Sequence, residues 1–350
     1  MDEQADVIVA AANGWGRLTL NRPRALNALT TDMCEAINAA LLAWKDDPEV
    51  GAVLIDHAGE RGFCAGGDIR KIAEGAAGDG EGAKRFFTAE YRMNELLFRY
   101  PKPVVAVMDG ITMGGGVGLS MPARIRIASE RTVWAMPEGD IGLFPDVGSG
   151  WYLPRLPGEA GTWLALTGAR LRAADMLALG IATHVVDAER ISDLKARLLA
   201  GSFDKTALAD FTSEPGPAQL AEHRASIDRQ FAYDTVEEIV AALRADTSAW
   251  AGEQAAALSK KCPTTLKTAL RLVRQGLDQS GFASEMALEY RLAARMCSRH
   301  DFIEGVRAVI VDKDNAPQWR PSGLEEVSEE AIDALFAPAT PGEEWTPLPA

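Results

Sequence analysis

Residues 103–121 read PVVAVMDGITMGGGVGLSM, an apolar run broken first by Asp109-Gly110 and then by three consecutive glycines. A membrane-spanning helix of about 20 residues does not accept an acid and a glycine cluster at its centre. A buried strand, a glycine turn and the start of a helix accommodate every one of these residues. Such a unit belongs in a layered α/β core. Its glycines either permit a tight turn with close packing or bring the free N–H groups of a helix start up to a ligand. FCAGGDIR at 63–70 repeats the arrangement, with Gly66-Gly67 before Asp68, an acid suited to cap a following helix. Taken singly, each motif reads first as a plain turn. Two such amides converging from separate loops would form an oxyanion hole.

Other elements fall around these two. Apolar residues alternate on both sides of Asn13-Gly14, a hairpin signal. Met33, Ile37, Leu41 and Trp44 recur at helical spacing, predicting a helix over 31–44 capped by Thr30 or Thr31. GAVLIDHA at 51–58 reads as a buried strand, EGAAGDGEGA at 74–83 as a mobile loop, and 82–99 as a helix. RIRIAS and TVWAM are short strands. Beyond about residue 157 strand patterns nearly vanish, giving a core over 1–190 and a mainly helical region over 191–350 with an extended, proline-rich tail.

With 36 basic against 50 acidic residues and a net charge of -14, the chain lacks the cationic footprint that nucleic acid requires. The acidic N-terminus has no targeting pattern. Cys34, Cys64, Cys262 and Cys297 show no CxxC spacing, which fits reduced thiols in a cytoplasm, and the four histidines form no ligand set, so no metal is expected.

AMPEGDIGLFPDVGSGWYLPRL at 135–156 places Glu138 and Asp146 each after a proline, among glycines. Eight residues that include Pro137, Gly139, Gly142 and Pro145 cannot form one regular helix, so a bent loop must carry both acids. Glu138 reads either as a first-turn helix acid or as a working carboxyl, and Asp146 either as an N-cap or as its partner. Asp140, between them, reads as solvated or structural.

In order and spacing, LNRPRALNAL, GFCAGGD, PKPVVAVMDGITMGGGVGLS and AMPEGDIGLFPDVGSGWYLPRL resemble the crotonase, or enoyl-CoA hydratase/isomerase, superfamily over about 150 residues. The last two blocks resemble its 3-hydroxyisobutyryl-CoA hydrolase branch. The resemblance implies an α/β fold, a spiral of ββα units followed by a helical C-terminal region. It implies an acyl-CoA thioester whose carbonyl rests on the backbone amides of Gly67 and Gly115. Coenzyme A would be part of the substrate and no separate cofactor is implied. Homo-trimers or hexamers are common in the family.

Hydratases of this family resemble a two-glutamate device. One glutamate position falls here on Gly118, which has no side chain, and the other on Glu138. The hydrolase branch places its second acid at Asp146. By the same resemblance Glu138 attacks the thioester carbonyl or activates water, and Asp146 orients or deprotonates that water or pairs with a substrate hydroxyl. Glu90 matches a substrate-contacting acid, its other reading being an exposed helix acid. Arg24 would meet the coenzyme A phosphates. The basic run KKCPTTLK would do likewise or, more simply, start a solvated helix. Hydrolysis of a short branched hydroxyacyl-CoA in valine breakdown is the expected function. A hydratase/isomerase relying on Glu138 alone and a non-catalytic coenzyme A-binding protein are the competing expectations.

Overall fold

The computed structural model describes residues 5–349 apart from 79, 202, 205 and 341. Asn13 and Gly14 both take positive φ, 54° and 83°, as a two-residue hairpin turn with matching twist requires. They join β1 (Val7–Ala12) to β2 (Trp15–Leu20) in antiparallel register. Helix α1 (Thr31–Lys45) follows, and the Thr30 hydroxyl caps it by accepting the Met33 amide at 3.3 Å. Its buried stripe includes Met33, Ile37, Leu41 and Trp44, the spacing seen in the sequence.

From there the chain winds as a spiral in which each turn adds one strand to each of two sheets. β3 (Ala52–His57), β5 (Val104–Met108), β7 (Ile125–Ala128) and β9 (His184–Val185) extend the larger sheet, in the order β1-β2-β3-β5-β7-β9, parallel from β2 onward. β4 (Gly62–Cys64), β6 (Ile111–Met113) and β8 (Val133–Ala135) form a smaller parallel sheet. β3 is buried along its whole length, which is why its sequence is continuous rather than alternating. The last strand is β9 (His184–Val185), and beyond it the described residues contain only helices and connections. Among the described residues, no helix is long and apolar enough to cross a membrane.

One apolar core runs from Val7 to Trp345, so the C-terminal helices pack on the spiral. The proline-rich tail lies against α3 (Glu81–Phe98). Trp345 is buried, Arg92 Nε donates to the Thr346 carbonyl at 2.9 Å, and an Arg99 guanidinium nitrogen donates to that of Leu348 at 2.8 Å.

Two local expectations change. Most of 74–83, read as a mobile loop, is helical: α2 (Ile69–Ala77) ends there and α3 begins there, while residue 79 of that stretch lies outside the described residues. A Cβ built on Gly75 would come within 3.3 Å of the Gly82 Cα, so these glycines let two helices meet backbone to backbone. Asp68 precedes α2 but makes no cap hydrogen bond; Arg22 pairs with it at 3.1 Å instead.

Candidate active site

The two glycine loops meet because their strands β4 and β6 are neighbours in the small sheet. Gly66 and Gly67 continue from β4, and Gly114 and Gly115 continue from β6 into α4 (Gly115–Ser120). A Cβ built on Gly66 would lie 3.6 Å from the Gly115 nitrogen, so the loops touch. In the parallel bridge between Leu29 and Gly67, the Leu29 amide donates to Gly66 and the Asp68 amide to Leu29. The Gly67 amide is thereby turned away from the bridge. Among the described residues neither it nor the Gly115 amide donates to a protein acceptor. Both residues line a cavity of about 630 Å³.

Four acids line the same cavity. Asp140 is partly exposed and paired with Lys261, and three enter deeper: Glu90 from α3, Glu138 from a short 3-10 turn (Glu138–Ile141), and Asp146 from the loop beyond it. All three are buried. Glu90 is therefore not the exposed helix acid its sequence also allowed. Its Oε1 has no protein partner and lies where a Gly115 Cβ would have to go. Glu138 Oε2 is likewise unpartnered, and its Oε1 would be 3.0 Å from a Cβ on Gly114. Asp146 does not cap a helix with its side chain. The short helix Ser149–Tyr152 has Gly148 at its N-cap, and Asp146 Oδ2 accepts the Tyr91 hydroxyl at 2.7 Å.

Burial raises all three carboxyls, because a charged carboxylate loses its hydration there. Glu90 and Glu138 lie well above the ordinary carboxylate range, each pushed further by the charge of Asp146. Asp146 reaches about 6, restrained by the Tyr91 hydroxyl. Raised carboxyls make folding weaker as pH rises. Above the ordinary value near 4.5 the unfolded chain releases protons that the folded chain retains, and the loss continues to the folded value. For Asp146, raised from 3.8 to about 6, the cost is roughly 3 kcal/mol. Glu90→Gln should therefore flatten the decline in melting temperature as pH rises through the range above the ordinary carboxylate value and raise it by a few degrees at the upper end. Thermal scans across that range check this, and an unchanged slope would show Glu90 to be readily ionised.

Gly118, on the wholly buried α4, leaves no room for a side chain. A Cβ there would sit 2.6 Å from Asn94 Nδ2 and 2.7 Å from the Val147 Cβ. Arg24 is exposed on the 3-10 turn Pro23–Ala25 and does not line the cavity. Arg170 and Lys260 do, both exposed at its rim. Lys260 belongs to the basic run at 260–267, whose next residue is not the solvated helix start it resembled: Lys261 is buried and paired with Asp140 at 2.7 Å. The far wall is formed by Ile72, Phe86 and Leu143 and, from the C-terminal region, by Val309 and Ile310. These last two sit on a π-helical turn, Arg307–Val311, with no sequence signature. Tyr91 was also missed, since nothing local distinguishes it from a core tyrosine.

Two backbone amides without a protein acceptor and three buried carboxyls line one largely apolar cavity, an arrangement suited to acyl chemistry. The profile of the enoyl-CoA hydratase/isomerase family matches residues 15–336, and the chain belongs to that family. Within it, the chain is 45% identical over 348 residues to a protein from Gallus gallus named 3-hydroxyisobutyryl-CoA hydrolase, mitochondrial, covering 96% of this chain and 90% of that one. The Homo sapiens protein of the same name is 43% identical, with 96% and 89% covered. Among solved structures, one titled a carnitinyl-CoA dehydratase from Mycobacterium thermoresistibile superposes with a TM-score of 0.94 at 43% identity, covering 98% of this chain and 99% of the other. Another, titled an enoyl-CoA hydratase from Rhodobacter sphaeroides, gives 0.90 at 42%, covering 98% and 100%.

Proposed function

We propose that this chain hydrolyses the thioester of a short branched hydroxyacyl-CoA, 3-hydroxyisobutyryl-CoA of valine breakdown. The relatives named as its hydrolases support the substrate. The observation that carries the reaction type is the pair Glu138 and Asp146 in one cavity, with the position of a second hydratase acid closed at Gly118.

In this reading the thioester carbonyl points at the Gly67 and Gly115 amides, which stabilise the oxyanion by roughly 3 kcal/mol each. Glu138 acts on the carbonyl carbon, directly or through a water it deprotonates. Asp146, held by Tyr91, orients that water or receives the substrate hydroxyl. Glu90 is the other polar group available to the hydroxyl. Arg170 and Lys260 at the rim suit the coenzyme A phosphates, a part first expected of Arg24. Coenzyme A enters as part of the substrate, and the scheme requires no separate cofactor.

Free-thiol release from a panel of acyl-CoAs tests the proposal. Branched hydroxyacyl-CoAs should be turned over fastest, with an acid limb above about pH 6 rather than near 4, because the working carboxyls are raised. No thiol release from any hydroxyacyl-CoA would exclude hydrolysis. The hydratase reading is favoured by the titles of the two solved structures; it predicts loss of the enoyl absorbance of crotonyl-CoA without thiol release.

We place the chain in the cytoplasm; its four cysteines are free and buried, which fits any reducing compartment. The curated relatives carry mitochondria in their names, and cell fractionation decides between the compartments. Trimers or pairs of trimers, the habit of the family, are read by light scattering.

A further inference from the structure

The two glycines beyond Asp146 are tied to a helix far along the chain. The Gly148 amide donates to Glu289 Oε2 at 2.7 Å and the Gly150 amide to Glu289 Oε1 at 3.0 Å. Between Asp146 and these anchors the backbone takes two left-handed residues in succession, Val147 at φ 55° and Gly148 at φ 92°. A β-branched residue rarely adopts that conformation, so its surroundings must hold it there. The strained turn has two consequences for the site. It sets the Asp146 carboxyl against Tyr91 in the cavity, and it lays Val147 against Gly118.

Glu289 is fully buried on the helix Phe282–Met296, and Glu285, one turn earlier, is fully buried too. Burial raises both carboxyls, the charge of Glu285 raises Glu289 further, and neither Glu285 oxygen has a hydrogen-bond partner. Two backbone amides take both Glu289 oxygens and offset part of the cost of burying it. Arg155 and Arg291 face the pair, and Tyr91, Tyr152 and Asp146 complete its titratable surroundings.

We propose that Glu289 is a positioning residue: by receiving the Gly148 and Gly150 amides it holds the turn that aims Asp146 into the cavity. The assignment rests on Asp146 being a reacting carboxyl.

Three variants test this by steady-state thiol release. Glu289→Gln should lower kcat by about 10- to 100-fold with KM within about twofold, because the acid is misaimed while the binding surface is intact. Asp146→Asn should be nearly inactive.

Wild-type kcat in Asp146→Asn would remove Asp146 from the reaction. An inactive Asp146→Asn beside a wild-type Glu289→Gln would remove Glu289 alone. A Glu289→Gln protein whose KM rises while kcat stays at the wild-type value would reduce Glu289 to packing. If Glu289→Gln does not fold, Glu289→Asp decides: it keeps the charge, cannot reach both amides, and should lose several-fold in kcat. Full activity there would overturn the proposal.

Discussion

Glu138→Gln is expected to lower kcat for thioester hydrolysis by about 10³-fold while raising the melting temperature. The loss follows from chemistry: an amide neither attacks a carbonyl nor takes a proton from water, and a positioned acid–base group contributes about 10² to 10⁴. The gain follows from burial. Glu138 has an oxygen with no partner, and its carboxyl is pushed well above the ordinary range, first by desolvation and then by Asp146. The folded chain therefore carries a penalty that grows as pH rises above about 4.5, and a neutral amide of the same shape removes it. The gain should shrink toward acid pH, where wild-type Glu138 is protonated in both folded and unfolded chains. Activity and stability moving in opposite directions would mark a group kept for its reaction and not for the fold. Thiol-release kinetics and thermal scans on one preparation measure both. Retained turnover would take Glu138 out of the reaction.

What the sequence revealed of this site was whatever is encoded locally. The strand, glycine turn and helix start at 103–121 lie within one run of chain, where apolar residues mark the strand and glycines the turn. Glu138 and Asp146 stood out because prolines and glycines exclude a regular helix between them. Their chemical roles came from family resemblance. The hidden parts depend on residues distant in the chain. Tyr91 reaches Asp146 across 55 positions, and Glu289 reaches Gly148 across 141. Neither Arg170 nor Lys260 has a neighbouring residue that announces the cavity rim, and Arg24 had only a motif to recommend it. The run EGAAGDGEGA misled for the opposite reason. Glycines that loosen an isolated chain here allow two helix backbones to approach, and only the tertiary contact decides which effect operates.

Gly118→Glu should not create a hydratase, and it should cost hydrolysis about 100-fold or more, on the order of 2.7 kcal/mol in the barrier. If this site were a hydratase that merely lost an acid, restoring the side chain would restore hydration. The surroundings of Gly118 predict otherwise. α4 is buried throughout, Asn94 occupies one side with an amide that finds no protein partner, and Val147 closes the other. A Cβ at 2.7 Å from the Val147 Cβ must push a residue already at φ 55°, and Val147 is bonded directly to Asp146. The new carboxyl would also join three buried ones, among which Asp146 already raises both Glu90 and Glu138. Gly118→Ala separates the two effects. It makes the same contact without the charge and should lose about 10-fold, consistent with overpacking that typically costs about 1–3 kcal/mol. Thiol release and crotonyl-CoA absorbance, followed in parallel, read both variants. Enoyl hydration by a well-folded Gly118→Glu protein would mean that the room exists, and that Asp146 is not what separates this site from a hydratase.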